Sequence, residues 1–96
     1  MAPSDGPARV ATRRLLIVNE RGLHARAAAK FVATAGSFTS EITVDKDGTS
    51  VSGRSIMGLM MLAAGPGSTI TVSVAGSDAG AALDALASLV GNRFDE

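Results

Sequence analysis

The 96-residue chain contains no cysteine, tryptophan or tyrosine, and it has a single histidine. The absence of cysteine excludes disulfides, thiol nucleophiles and thiolate metal sites, and a lone histidine argues against a structural zinc site. Without tryptophan or tyrosine, the chain lacks the aromatic platform on which nucleic-acid bases stack. We therefore expect no resident metal, no cofactor and no nucleic-acid partner.

An excess of charge of one sign and a long apolar run are also absent. Nine Lys and Arg residues balance nine Asp and Glu residues, so no overall basic field would hold a polyanion. No apolar run approaches the length of about 18 residues that a membrane span needs, and the first seven residues lack the charged and apolar regions of a secretory signal. Length and composition predict one soluble, cytoplasmic domain with a small core, because 17 of the hydrophobic residues are alanine.

Hydropathy patterning predicts seven elements in the order β-α-β-β-α-β-α. The strands are expected at residues 10–18, 38–45, 49–52 and 69–74, and the helices at 24–35, 55–63 and 78–90. Residues 45–48 (DKDG) form a predicted hairpin turn, because Gly48 tolerates the positive φ of such turns. Gly36 and Gly91 are predicted helix stops, and Ser77 or Asp78 is the predicted N-cap of the last helix.

Two strands alternate polar with apolar residues, which indicates that one face of the sheet is wet and that the helices cover the other face. The predicted fold is α+β, an open-faced β-sandwich in which three helices cover one face of a four-stranded antiparallel sheet. Residues 10–91 are predicted to form this domain. Residues 1–9 are expected to be a flexible N-terminal tail, and residues 92–96 a C-terminal tail.

The only histidine lies where the first strand's loop meets the first helix, within the sequence GLHARAAA that begins at Gly22. A helix N-terminus offers free N–H groups and a positive dipole end, both of which attract anions. The neutral form of an imidazole is well populated at neutral pH and can attack phosphorus. Arg26 can place a planar fork of donors on phosphate oxygens. These residues suit a site that accepts and releases a phosphoryl group.

Other interpretations of the same residues remain open at this point. His24 can be an exposed residue or an N-cap, and Arg26 a solvated surface charge. A small enzyme could use His24 as a general base with Arg26 as an anion clamp, but Glu20 is the nearest carboxylate in sequence and no acid partner is evident. A ligand-sensing domain of the split β-α-β type is a third candidate. Its weakness is that residues 65–67 are the only glycine-rich loop.

Two motifs resemble those of the HPr family, the histidine phosphocarriers of the phosphoenolpyruvate-dependent phosphotransferase system. GLHAR at residues 22–26 is similar to the family's active-site signature, and RSIMGLM at residues 54–60 is similar to the segment around its regulatory serine. The predicted element order also agrees, and the resemblance covers about residues 10–91. The resemblance therefore implies the HPr-like fold and a phosphocarrier function.

The resemblance also implies partners and roles. Enzyme I would pass a phosphoryl group from phosphoenolpyruvate to Nδ1 of His24, with Arg26 as the phosphate-side arginine. An enzyme IIA-type histidine would then accept the group, in sugar uptake or in nitrogen-related signalling. The carrier itself would be a monomer that needs no metal, and not an enzyme. The positions that match the family's docking surface are Ala25, Ala29, Ile56, Met57 and Met60.

The second predicted helix has a structural and a functional interpretation. Ser55 matches the serine that a dedicated kinase, and in reverse a phosphorylase, modifies in some lineages, but serine is also a preferred N-cap. The methionines that follow it can form an exposed surface for several partners or fill an irregular core. Because a short helix on a sheet buries one stripe only, we expect Leu59 and Leu62 to be buried and Met57 and Met60 to be exposed.

One residue departs from the resemblance. Sugar-transport members of the family usually have proline immediately after the arginine, whereas this chain has Ala27. Proline is comfortable in the first helical turn, so its absence need not disturb the fold, but alanine adds an N–H near the phosphate position. Alanine here is more similar to the nitrogen-related branch, which leaves the downstream pathway open between sugar uptake and regulation.

Overall fold

The computed structural model describes residues 9–96, which form one four-stranded sheet and three α-helices. The strands are β1 (Arg9–Leu16), β2 (Glu41–Lys46), β3 (Thr49–Ser52) and β4 (Thr69–Gly76), and the helices are α1 (Ala25–Ala35), α2 (Ile56–Met61) and α3 (Ala79–Gly91). The strand order in the sheet is β1-β4-β2-β3, and every neighbouring pair is antiparallel. The element order and the antiparallel sheet confirm the fold class that the sequence predicts.

The two faces of the sheet differ as the alternation requires. Ile42, Val44 and Val72 are at most 2% exposed and point toward the helices, while Thr12 and Ser73 lie on the opposite face, where the Thr12 hydroxyl donates to Ser73 Oγ at 3.3 Å. α3 packs across β1 and β4, and α1 packs against α2 and α3. The core therefore lies between the sheet and the three helices.

The boundaries of several elements differ from the predicted ones by a few residues. The helix predicted at residues 55–63 is shorter, because α2 begins after Ser55 and ends at Met61. α3 continues through Gly91 to an end at Asn92, so Gly91 does not stop it. The β2–β3 turn is tighter than expected and consists of Asp47 and Gly48, with φ of 50° and 86°. Positive φ at both residues matches the twist of the flanking strands.

The chain ends differ more. Residues 1–8 of the predicted N-terminal tail lie outside the described residues, and its last residue, Arg9, begins β1. Residues 92–96, set apart from the domain as a C-terminal tail, instead turn back onto it. Phe94 is 0% exposed in the core, and Lys30 Nζ donates to the Phe94 carbonyl at 2.7 Å. The burial of one aromatic side chain therefore makes this segment part of the domain.

Asp78 accepts hydrogen bonds from the segment between α1 and β2. It is the N-cap residue of α3, but its side chain does not cap that helix. The carboxylate instead accepts hydrogen bonds from the backbone N–H groups of Thr39 at 2.8 Å and Ser40 at 3.0 Å, and from both of their hydroxyls. The pKa of Asp78 consequently falls from its ordinary 3.8 to about 2, chiefly because the Ser40 hydroxyl donates to the carboxylate.

We expect this network to make stability depend on pH in the acid range. A folded-state pKa below the unfolded value stabilises the fold above the unfolded pKa, and that contribution is lost as the pH falls from 3.8 to about 2. Asp78→Ala should be less stable than the unsubstituted chain at neutral pH, and the difference should shrink through this window. Urea unfolding at a series of pH values measures it. Asp84→Ala, on the exposed face of the same helix, is the control. A difference in the free energy of unfolding between Asp78→Ala and the unsubstituted chain that stays constant down to pH 2 would contradict the prediction.

Candidate functional site

Hydrogen bonds and a close backbone approach at Gly22 position the loop that precedes α1. Gly22 has a φ of 63°, and a Cβ built on it would lie 2.2 Å from the carbonyl oxygen of Ala64, so only glycine fits. Leu23 N donates to that carbonyl at 2.9 Å. Asn19, which is 1% exposed, donates from Nδ2 to the Gly22 carbonyl at 2.8 Å. The loop is thereby held against the segment that follows α2, and it delivers the next residue, His24, to the start of α1.

His24 is the N-cap residue of α1, and its side chain does not cap the helix. The first helical hydrogen bond runs from Ala28 N to the His24 carbonyl at 2.9 Å, so the N–H groups of residues 25–27 have no partner within the helix. These include the N–H of Ala27, which a proline would lack. The imidazole therefore lies beside a helix end that favours anions.

Glu96 holds the imidazole from the far end of the chain. Its Oε2 pairs with His24 Nε2, and its Oε1 accepts a hydrogen bond from Asn19 Nδ2 at 3.3 Å. Sequence reasoning missed Glu96 because it lies 72 residues beyond His24 and no local pattern joins them. The buried Phe94 is what brings it there.

The contact with Glu96 determines which nitrogen of His24 carries the proton. The pKa of Glu96 is lowered, mainly because His24 donates a hydrogen bond to it, so the carboxylate is ionised at neutral pH. A carboxylate accepts a hydrogen bond and does not donate one, so Nε2 carries the proton. In a neutral imidazole the lone pair is then on Nδ1. In this tautomer Nδ1 of His24 is free to accept, and a negative charge lies next to Nε2.

Arg26 and Arg21 lie on opposite sides of the histidine in sequence. Arg26 is exposed in the first turn of α1. A shallow cavity of about 250 Å³ is lined by Arg21, Leu23, His24, Ala63, Ala64 and Gly65, and Arg26 is not part of this lining. The sequence analysis did not select Arg21. The structure therefore places Arg21 and His24 around the same cavity.

The second helix combines a cap with an exposed apolar surface. The Ser55 hydroxyl accepts a hydrogen bond from Gly58 N at 2.9 Å, which confirms its capping role. Leu59 and Leu62 are buried as predicted, while Met57 is 68% and Met60 40% exposed. The other positions of the implied docking surface, Ala25, Ala29 and Ile56, are exposed as well.

Arg54, part of the second motif, has a structural position. Its guanidinium donates to the carbonyls of Ala35, Phe38 and Ser40 at 2.9–3.0 Å. These bonds tie the start of α2 to the end of α1. The two motifs of the sequence are thus brought together, since α1 and α2 pack against each other.

The described residues contain neither a membrane-spanning helix nor a cluster suited to a metal ion. No helix within residues 9–96 is long and apolar enough to cross a membrane. Over the same range, no three side chains of His, Asp or Glu gather in a way that could hold a metal ion.

Comparison with known proteins shows the family. The family model described as "PTS HPr component phosphorylation site" matches residues 11–92. The chain is 50% identical over 84 residues to the phosphocarrier protein HPr of Cupriavidus necator, a match that covers 88% of this chain and 94% of that protein. It is 48% identical over 84 residues to the phosphocarrier protein NPr of Shewanella violacea, with 88% and 92% covered.

Solved structures agree with the sequence matches. A crystal structure of HPr from Thermoanaerobacter tengcongensis superposes with a TM-score of 0.86 at 42% identity, over 90% of this chain and 97% of that one. HPr from Bacillus anthracis gives a TM-score of 0.81 at 47% identity, over 84% and 96%. Fold, sequence and the family model agree over nearly the whole described chain. The chain belongs to the HPr family and is a phosphocarrier protein of the phosphotransferase system rather than an enzyme.

Proposed function

We propose that this protein accepts a phosphoryl group on Nδ1 of His24 from phosphorylated enzyme I and passes it to a histidine of an enzyme IIA-type protein. The observation that carries the proposal is the contact between His24 Nε2 and the Glu96 carboxylate, at the N-terminus of α1. That contact fixes the ring and leaves Nδ1 as the nitrogen with the lone pair.

The transfer needs no proton to leave the imidazole. The Nδ1 lone pair attacks phosphorus, the bond between phosphorus and the donor's histidine nitrogen breaks, and the donor keeps that electron pair. Nε2 keeps its proton, so the ring becomes positively charged as the Nδ1–P bond forms. Glu96 stabilises that charge, because its carboxylate already faces Nε2. The reverse step gives the group to the acceptor, so the site works mainly by positioning and electrostatics.

The partners and the pathway belong to the same proposal. We place the exchange in the cytoplasm, with phosphoenolpyruvate as the ultimate donor and no cofactor on the carrier. Ala27 supplies one free N–H more than a proline would at the start of α1. Both an HPr and an NPr are among the similar proteins, and we favour a regulatory, nitrogen-related role on the basis of Ala27.

The exposed apolar residues of α2 support a docking role, from which a prediction follows. Met57→Glu should weaken binding to enzyme I at least ten-fold, because a charge would have to be desolvated when the partner covers it. The free energy of unfolding should change by no more than about 0.5 kcal/mol, since Met57 is 68% exposed. Calorimetric titration and urea unfolding measure the two quantities.

Val10→Glu is the matched control for Met57→Glu. Val10 is 72% exposed, and it lies on β1, a strand that packs against β4 and α3. It should leave enzyme I binding unchanged. Equal weakening by both variants, or unfolding of the domain by Met57→Glu, would contradict a docking surface on α2.

Ser55 is proposed as a regulatory phosphorylation site in cells that contain a serine kinase for it. Its hydroxyl already accepts from Gly58 N, and phosphate at a helix N-terminus is electrostatically favourable. The modification would add about −1.5 to −2 charges at the edge of the docking surface. We expect it to weaken association with enzyme I more than it changes the reactivity of His24.

The test of the proposed function is phosphorylation in a purified system. Incubation with enzyme I and phosphoenolpyruvate should add one phosphoryl group, detected by intact mass. Acid should remove it and base should not, because a phosphoramidate on imidazole has that lability and a serine ester does not. Addition of an enzyme IIA-type protein should return the carrier to its original mass. A base-labile, acid-stable product would overturn the proposal.

A further inference from the structure

We infer that Arg21 is a second phosphate-binding arginine of this site, in addition to Arg26; the inference rests on the proposed phosphorylation of His24. It concerns the ligand of the shallow cavity shared by Arg21 and His24. The predicted occupant is the phosphoryl group itself, bound to Nδ1 and contacted by the Arg21 guanidinium.

The backbone around Arg21 is fixed, although its side chain is exposed. Gly22 N donates to the Asn19 carbonyl at 3.2 Å, and Asn19 Nδ2 donates to the Gly22 carbonyl at 2.8 Å. These two bonds close the turn that contains Arg21, and the Ala64 carbonyl holds its far side through Leu23 N. The side chain therefore starts from a fixed point beside the imidazole, which reduces the entropy lost when it binds an anion.

The charge of Arg21 is available for a ligand. Ion pairs among residues 9–96 join Arg13 to Asp84 and Lys46 to Asp47, and Glu96 contacts His24; none of these contacts uses Arg21. Arg21 nevertheless lies close enough to Glu96 that its positive charge contributes to the lowered pKa of that carboxyl. A guanidinium group without a carboxylate partner is suited to binding phosphate oxygens through two donors at once.

Arg21 is also placed to reduce the repulsion between the phosphoryl group and the Glu96 carboxylate. Phosphorylation places a second anionic group on a ring that already contacts the Glu96 carboxylate. Arg21 lines the cavity that contains His24 and also a second cavity, lined by Asn19, Glu20, Arg21, Arg93 and Glu96. One positive charge thus lies near both groups, and we expect it to offset part of the repulsion between them. Arg93 lines the second cavity and not the one that contains His24, so we expect it not to contact the phosphoryl group.

The test avoids enzyme I, so that docking does not enter. Phosphoramidate is the probe: Nδ1 attacks phosphorus, the P–N bond breaks, and the nitrogen, already protonated, leaves as ammonia while Nε2 keeps its proton. Arg21→Gln should lower the rate of this reaction about ten-fold or more, the loss expected for one hydrogen bond to a charged group. Arg21→Lys should recover part of the rate, because it keeps the charge without the fork of donors. Arg93→Gln is the matched control and should react as the unsubstituted chain does.

Each outcome distinguishes this inference from the proposed function. If the unsubstituted chain gains no phosphoryl group on His24 from either phosphoramidate or enzyme I, the proposed function fails. If it is phosphorylated and Arg21→Gln reacts at the same rate with phosphoramidate, only the role of Arg21 is overturned. Slowing with enzyme I alone would make Arg21 a docking residue and would also overturn its role as a phosphate ligand.

Discussion

Replacing His24 by alanine is expected to abolish phosphorylation by enzyme I completely while the fold stays intact. The nucleophilic nitrogen is lost, and no other histidine exists in the chain to replace it. α1 should persist, because the His24 side chain does not cap the helix and only its backbone carbonyl takes part in the first helical hydrogen bond. Intact mass measures the first effect, and circular dichroism measures the second.

Ser55→Ala is the control for this variant. It removes the other candidate acceptor and a cap worth about 1 kcal/mol, and it should accept the phosphoryl group at nearly the normal rate. If phosphorylation survives in His24→Ala and disappears in Ser55→Ala, the acceptor is Ser55, and the role proposed for His24 is wrong.

Phe94→Ala should cause the largest loss of stability among the substitutions considered. Phe94 is 0% exposed, and truncating a buried phenylalanine typically costs about 3–5 kcal/mol. For a domain whose total stability is about 5–15 kcal/mol, this is a large fraction. Phosphorylation of His24 should also slow, because Phe94 anchors the segment that carries Glu96. Urea unfolding and the initial rate with enzyme I measure the two effects.

Glu96→Gln separates the two consequences of losing Phe94. This variant keeps Phe94 and removes the negative charge next to Nε2 of His24. Its midpoint of urea unfolding should therefore stay near that of the unsubstituted chain, while phosphorylation of His24 by enzyme I slows. If Phe94→Ala lowers the free energy of unfolding by less than about 1 kcal/mol, residues 92–96 are a tail outside the core, as the sequence analysis expected.

The fold could be predicted from the sequence because its signals are local. Alternation in β2 and β4 places Ile42, Val44 and Val72 on one face, and the structure buries those residues. The capping role of Ser55 and the burial of Leu59 follow from patterns within one helical turn. His24 was selected for the same reason, since its position at a strand–helix junction is visible over a few residues.

The rest of the site depends on contacts that no local pattern encodes. Glu96 reaches His24 only because the chain reverses after α3, with φ near +60° at Arg93, Phe94 and Asp95. Non-glycine residues rarely adopt this conformation, so composition gave no reason to expect it. Arg21 has no local signal either, because the cavity that it lines also needs Ala63 and Ala64, which are about 40 residues away in the sequence.

The most direct test of the account is to determine which nitrogen of His24 carries the phosphoryl group. Protein labelled with ¹⁵N in histidine, phosphorylated by enzyme I and phosphoenolpyruvate, should show coupling of phosphorus to Nδ1 and a proton retained on Nε2, in contact with Glu96. Phosphorus bound to Nε2, or an unmodified imidazole in a protein that has gained a phosphoryl group, would contradict it.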